Sequence, residues 1–139
     1  MPFRLSLVAL VAAALAGAAL KPLHGAAMDR YELRRASDDV RDAMGEARLL
    51  AVRRGTEVRV VIDFANLSLA VEGGRWRRLP NGIGLAGPAA TRSGETEILF
   101  RPDGSSTGGQ VVVSVRGRAV SLLVDAGSGG VRRYQAEVR

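Results

Sequence analysis

Several side-chain types that carry enzyme chemistry are missing from this sequence or scarce in it. There is no cysteine, so neither a disulfide framework nor thiol chemistry is available. The only histidine is His24, close to the N-terminus, which excludes a Ser-His-Asp triad built from Asp103 and Ser105 or Ser106. Metal centres made from histidine and cysteine are excluded for the same reason. We therefore expect a protein that is not an enzyme and that has no metal site or cofactor.

Aromatic residues are also few, at 4% of the chain, which argues against a surface that binds single strands by base stacking. The charge, in contrast, is unbalanced: the net charge is +6, and Lys21 is the one lysine among 20 basic residues. Arginine pairs well with carboxylates and phosphates. The composition therefore points weakly to an anionic partner, and no small-molecule substrate is expected.

Charge is absent from the run Leu5 to Leu20, which lies between Arg4 and Lys21 and is followed by Pro22. Two interpretations remain open. A signal peptide has an apolar region of about 7–15 residues and a small-residue cleavage site, which His24 to Ala27 could supply. A membrane anchor needs about 17–25 apolar residues, slightly more than this run offers. We predict that residues 1–27 are a membrane or signal segment, with these membrane-helix and assembly residues: Leu5, Leu7, Val8, Leu10, Val11, Leu15, Leu20 and Pro22.

An amphipathic helix is predicted from Tyr31 to Arg54, because apolar residues recur there at helical spacing and Gly55 is a natural stop. The helix is expected to cover one face of the domain formed by residues 28–139. In a sharper interpretation, the apolar run before it packs against other copies in an assembly. The apolar positions of the predicted helix are Leu33, Ala36, Val40, Met44, Ala47 and Ala51.

Short strands and turns follow Gly55. Residues 57–72 alternate between apolar and polar side chains and predict a hairpin with Val58, Val60, Ile62 and Phe64 facing the core. Further strands are predicted near residues 75–79, 83–85 and 95–101, in a hairpin over 111–124, and at 131–138, with a loop at 86–94. The predicted fold class is α+β: one long N-terminal helix packed on antiparallel sheets of a small head.

The turn and strand block ILFRPDGSSTGG, from Ile98 to Gly109, resembles the core of the GspH/FimT group of type IV pilin-like proteins. A second turn, DAGSG at residues 125–129, is similar to one that follows in that group. The helix end at residues 46–55 and the stretch RLPNGI at 78–83 are also similar. The turn residues that carry the resemblance are Pro102, Asp103, Gly104, Gly108, Gly109, Asp125 and Gly129.

This resemblance implies a minor pseudopilin of type II secretion, which acts by assembly into, or priming of, a periplasmic pseudopilus. The implied partners are other pseudopilins and inner-membrane secretion components. The implied location is the bacterial inner membrane, with a single pass and the head in the periplasm. The group's leader has a glycine before a phenylalanine and a glutamate four residues after it; here Pro2 precedes Phe3, and Leu7 stands at the fourth position.

Two alternatives remain open. Some FimT-like minor pilins serve DNA uptake, and the arginines that could contact DNA here are Arg75, Arg77, Arg78, Arg132 and Arg133. A solvated basic surface is the default interpretation of these arginines, and a partly buried core position is the default for Trp76, although it could stack on a base. The other alternative is a soluble periplasmic binding module that signal peptidase releases.

Overall fold

A computed structural model describes residues 26–87 and 94–136. Within these residues the helix is α1 (Ala26–Arg54). Eight strands follow in chain order: β1 (Val58–Asp63), β2 (Ser68–Val71), β3 (Arg77–Arg78), β4 (Gly84–Ala86), β5 (Glu95–Phe100), β6 (Gly109–Val115), β7 (Arg118–Val124) and β8 (Val131–Ala136).

Helix α1 starts five residues earlier than the apolar spacing predicted, at Ala26 instead of Tyr31. Its charges suit the helix dipole, because Asp29 lies in the first turn and Arg53 and Arg54 lie in the last. The helix ends at Arg54 and is capped by Gly55, which has a φ of 68° and whose N–H donates to the Ala51 carbonyl at 3.0 Å. The predicted C-terminal stop is therefore confirmed.

The strands form two four-stranded sheets, and every pairing is antiparallel. The first sheet has the order β3-β2-β1-β5, and the second has the order β4-β6-β7-β8. In the first hairpin Val60 pairs with Val71 and Ile62 with Leu69, as the alternation over residues 57–72 predicts. The second predicted hairpin is confirmed by the pairing of Val113 with Val120. The structure thus confirms an α+β fold with antiparallel sheets.

The hydrophobic core lies between α1 and both sheets. The helix contributes a stripe of alanines that are fully buried, and their small size lets the strands approach the helix closely. The largest fully buried side chains come from the helix and from both sheets: Phe100, Met44, Ile62, Leu69, Ile98 and Leu122. Phe64 is only half-buried; it contacts Gly87 so closely that a Cβ there would lie 2.8 Å from the Phe64 ring.

The predicted membrane or signal segment, residues 1–27, lies outside the described residues except for Ala26 and Ala27. The membrane-helix positions from Leu5 to Pro22 therefore stay predictions. Within the described ranges, no helix has both the length and the apolarity needed to cross a membrane.

Candidate functional site

The two turns that carry the family resemblance are closed by aspartates. In the β5–β6 turn, the Asp103 carboxylate accepts from the Ser105 N–H at 2.9 Å and from the Ser105 hydroxyl at 2.6 Å. In the β7–β8 turn, the Asp125 carboxylate accepts from the N–H and the hydroxyl of Ser128, both at 2.8 Å. Each carboxylate holds its own loop in one conformation, as aspartates in turns commonly do.

The two turns are also bonded to each other through Ser106. Its N–H donates to the Ala126 carbonyl at 2.8 Å, and its hydroxyl donates to the Asp125 carbonyl at 3.0 Å. The same hydroxyl accepts from the Gly108 N–H at 2.9 Å. Ser106 is buried and fully satisfied, so the two turns behave as one rigid unit.

Helix α1 joins this unit through Arg48. The Arg48 Nε–H lies 3.2 Å from the Gly104 carbonyl and 3.0 Å from the Ser128 carbonyl, so one side chain bridges both turns to the helix. We call Arg48 together with the turns at residues 101–108 and 125–130 the turn clamp. Hydrogen bonds from a charged donor are stronger than neutral ones. The turn clamp therefore fixes the C-terminal half of the helix on the head.

Glycine is required at the point of closest approach in the turn clamp. Gly129 has a φ of 69°, and a Cβ there would lie 2.2 Å from the Gly104 carbonyl oxygen. Gly104 has a φ of 89°, and its Cβ would lie 3.1 Å from the Arg48 guanidinium. Side chains at these positions would therefore push the turns and the arginine apart.

Hydrogen bonding lowers the pKa of both turn aspartates. The Ser105 hydroxyl is the main cause of the lowered pKa of Asp103, and the Ser128 N–H is the main cause for Asp125. Asp63 in the β1–β2 turn has a lowered pKa for the same kind of reason, because the Asn66 side chain donates to it. These three carboxylates therefore stay ionised to a lower pH than an unperturbed aspartate does.

The structure brings the sequence-predicted turn residues together. A Cβ on Gly108 would lie 3.4 Å from Ala126, and a Cβ on Gly109 would lie 3.0 Å from Ile98 in the core. Pro102 is exposed at the tip of its turn. Sequence reasoning missed Arg48 as a site residue, although the helix stretch quoted for the resemblance contains it. Its position beside the buried alanine stripe was the only available signal, because nothing in the sequence near Arg48 indicates that its side chain bonds to carbonyls 56 and 80 residues away.

The five arginines proposed for DNA contact lie at the edges of two different sheets. Arg77 and Arg78 form β3, and Arg132 and Arg133 lie in β8. Arg77 donates to Glu46 of α1, and Arg133 donates to Asp38 of α1 at 3.0 Å. Glu46 and Asp38 are eight residues apart, which at about 100° per residue places them about 80° apart around the helix and about 12 Å apart along it. The arginines therefore form two groups, one at an edge of each sheet, instead of one patch.

Trp76 is not a core residue, so the default interpretation of it was wrong. Its side chain is 55% exposed, and its chain neighbours Arg75 and Arg77 are exposed too. The two-residue strand β3 is too short to carry Trp76 into the sheet, which explains why the residue stays at the surface.

The outer face of α1 is the remaining surface of note. Leu49 and Val52 lie one turn apart, and both are half exposed. Gly45, one turn earlier, has open space where a side chain would be. These three residues form a shallow apolar strip, which we call the outer strip, on the side of the helix away from the head. The head leaves this part of the helix uncovered.

A long helix that is clamped along one side to a small two-sheet head defines a pilin-like protein. The sequence profile for type II transport protein GspH matches residues 36–130, from the middle of α1 through the second clamp turn. The chain belongs to the GspH family.

Solved structures share the fold at low sequence identity. The type IV minor pilin FimU of Pseudomonas aeruginosa PAO1 is 14% identical, with a TM-score of 0.62 over 77% of this chain and 91% of that one. The minor pseudopilin EpsH from the type 2 secretion system of Vibrio cholerae is 13% identical, with a TM-score of 0.61 over 75% of this chain and 97% of that one. No curated protein matches the sequence.

Proposed function

We propose that this protein is a minor pseudopilin of type II secretion, which assembles into or primes a periplasmic pseudopilus and performs no catalysis. The observation that carries the proposal is the family match over residues 36–130, which covers α1 from Ala36 onward and the whole turn clamp. The likeness of the fold to EpsH supports the same role. The proposed partners are other pseudopilins and inner-membrane secretion components.

The geometry suits a subunit whose head is held in a fixed position on its helix. The turn clamp holds the C-terminal half of α1 to the head through Arg48, and the ion pairs of Glu46 and Asp38 tie the helix to the edge strands β3 and β8. A partner that fixes the helix would therefore also fix the head. The outer strip of Gly45, Leu49 and Val52 offers such a partner an apolar surface.

We also propose where the protein resides. Residues 1–27 would hold the chain in the bacterial inner membrane by a single pass, with the head in the periplasm. The uncharged run Leu5 to Leu20 and the charge of Arg4 before it support this placement.

Deletion of the gene tests the secretion role. We expect substrates of type II secretion to remain in the periplasm of the deletion strain and to return to the medium when the wild-type chain is supplied. A substrate exported by another route serves as the control. Normal secretion by the deletion strain would contradict the proposal.

A second candidate function is DNA binding, and the exposed Trp76 between Arg75 and Arg77 is the observation that favours it. An exposed aromatic ring among arginines could stack on a base while the guanidinium groups contact phosphates. Arg75, Arg78 and Arg132 are the better candidates, because Arg77 and Arg133 already pair with helix carboxylates.

Gel-shift titration of the purified chain distinguishes this candidate. Binding that weakens steeply between 50 and 200 mM salt, as expected for phosphate contacts, and that falls in a Trp76→Ala variant, would support it. The absence of any shift at low salt would remove it.

A further inference from the structure

The first turn of α1 makes a polar contact with the head. Asp29 lies in this turn and is only 8% exposed, and its carboxylate accepts from the Arg116 guanidinium. The two residues are 87 positions apart in the sequence. Arg116 lies in the turn that joins β6 to β7, and its side chain is about half exposed. The pair therefore ties the beginning of the helix to the tip of a hairpin in the second sheet.

Arg116 has an unfavourable backbone conformation for its residue type. Its φ is 38° and that of Gly117 is 83°, so both central residues of this two-residue turn have positive φ. Such turns favour asparagine or glycine at the first position. Among the described residues only Leu67 and Arg116 have positive φ without being glycine. An arginine at this position needs a compensating interaction, and the contact with Asp29 is one.

Little else holds this part of the helix. Met28 and Tyr31 are each 60% exposed, and Asp29 is the one buried residue between Ala27 and Glu32. The next buried position is Leu33, a full turn later. Beyond it, the buried alanine stripe and the turn clamp hold the helix continuously. Without its partner, a buried Asp29 carboxylate would be left uncompensated and would favour movement of this turn into water.

We infer that Asp29 and Arg116 form a latch that sets the point at which α1 leaves the head. With the latch closed, the helix is docked from Asp29 onward. With the latch open, docking begins at Leu33, and the turn before it separates from the head. The latch acts within one chain, and so its test does not depend on assembly or on secretion.

Hydrogen exchange measured by mass spectrometry on the full chain in detergent tests the latch. The variant is Arg116→Asn, which suits the turn and removes the guanidinium. We expect the amides of residues 30–33, which bond to carbonyls of the first turn, to exchange roughly tenfold faster or more. Amides of residues 40–51 should keep their wild-type rates. Asp29→Asn should have a similar local effect, and the double variant should add little to either change.

Arg133→Asn is the matched control, because it breaks an ion pair between the same helix and the same sheet at an exposed acid, Asp38. It should leave exchange at residues 30–33 unchanged. Wild-type rates there in Arg116→Asn would overturn the inference. An equal acceleration over residues 40–51 would also overturn it, since the pair would then support the whole fold and not a local latch.

Discussion

Replacement of Gly129 by alanine tests the turn clamp most sharply. An alanine at a φ of 69° is strained by about 1–2 kcal/mol, because its Cβ crowds its own backbone. In addition, that Cβ would lie 2.2 Å from the Gly104 carbonyl oxygen, so the two turns must separate. Separation breaks at least one bond from the Arg48 guanidinium, which contributes about 1.5–3 kcal/mol. We therefore expect Gly129→Ala to lower the free energy of unfolding by about 2.5–5 kcal/mol.

Gly73→Ala is the matched control, because Gly73 has a φ of 81° and open space where a Cβ would be. It should lower the free energy of unfolding by about 1–2 kcal/mol, from backbone strain alone. Urea denaturation of the purified chain, followed by circular dichroism, measures both variants. If Gly129→Ala is no more destabilising than Gly73→Ala, the close approach of the two turns is not what requires glycine.

Two further predictions concern charged groups. Arg48→Met should lower the free energy of unfolding by about 1.5–3 kcal/mol. Arg77→Met, which loses only an exposed pair with Glu46, should change the free energy of unfolding by less than about 1 kcal/mol. Equal effects of the two variants in urea denaturation would contradict the role of Arg48. Because Asp63, Asp103 and Asp125 have lowered pKa values, their stabilising contribution is complete above the unfolded pKa of about 3.9 and is lost as the pH falls through the folded pKa. At pH values below about 4, the melting temperature of the wild-type chain should therefore decrease as the pH decreases. The double variant Asp103→Asn, Asp125→Asn should show a smaller decrease, and a decrease as steep as that of the wild type would refute the assignment.

The strands were predictable because their local patterns are strong. Val58, Val60 and Ile62 recur at every second position, and short turns separate the strands of each hairpin, so local sequence predicts the pairs β1–β2 and β6–β7. The end of α1 was predictable from Gly55 for the same reason. Its start was not: Ala26 to Arg30 lack an apolar period, and the helix there is held by the distant Arg116.

The site was predictable only in part. The turn residues were found through their resemblance to a family pattern, and Asp103 and Asp125 act within their own loops. Arg48 acts across the fold, on carbonyls of two turns that only the tertiary structure brings together. Trp76 was misplaced because an aromatic residue in a short apolar-polar stretch resembles a core position, yet β3 begins only at Arg77 and leaves Trp76 outside the sheet.

The central claim is that the chain acts as a pseudopilin subunit, and the outer strip of α1 is the surface that we propose for contact with other subunits. Photo-crosslinking in living cells tests it directly, with a photoreactive amino acid in place of Leu49. The control position is Leu123, which is also exposed but lies on the outer face of the second sheet, away from the helix. We expect Leu49 to give crosslinks to other pseudopilins and Leu123 to give far fewer. Crosslinks from Leu123 with none from Leu49 would contradict assembly through this face of the helix.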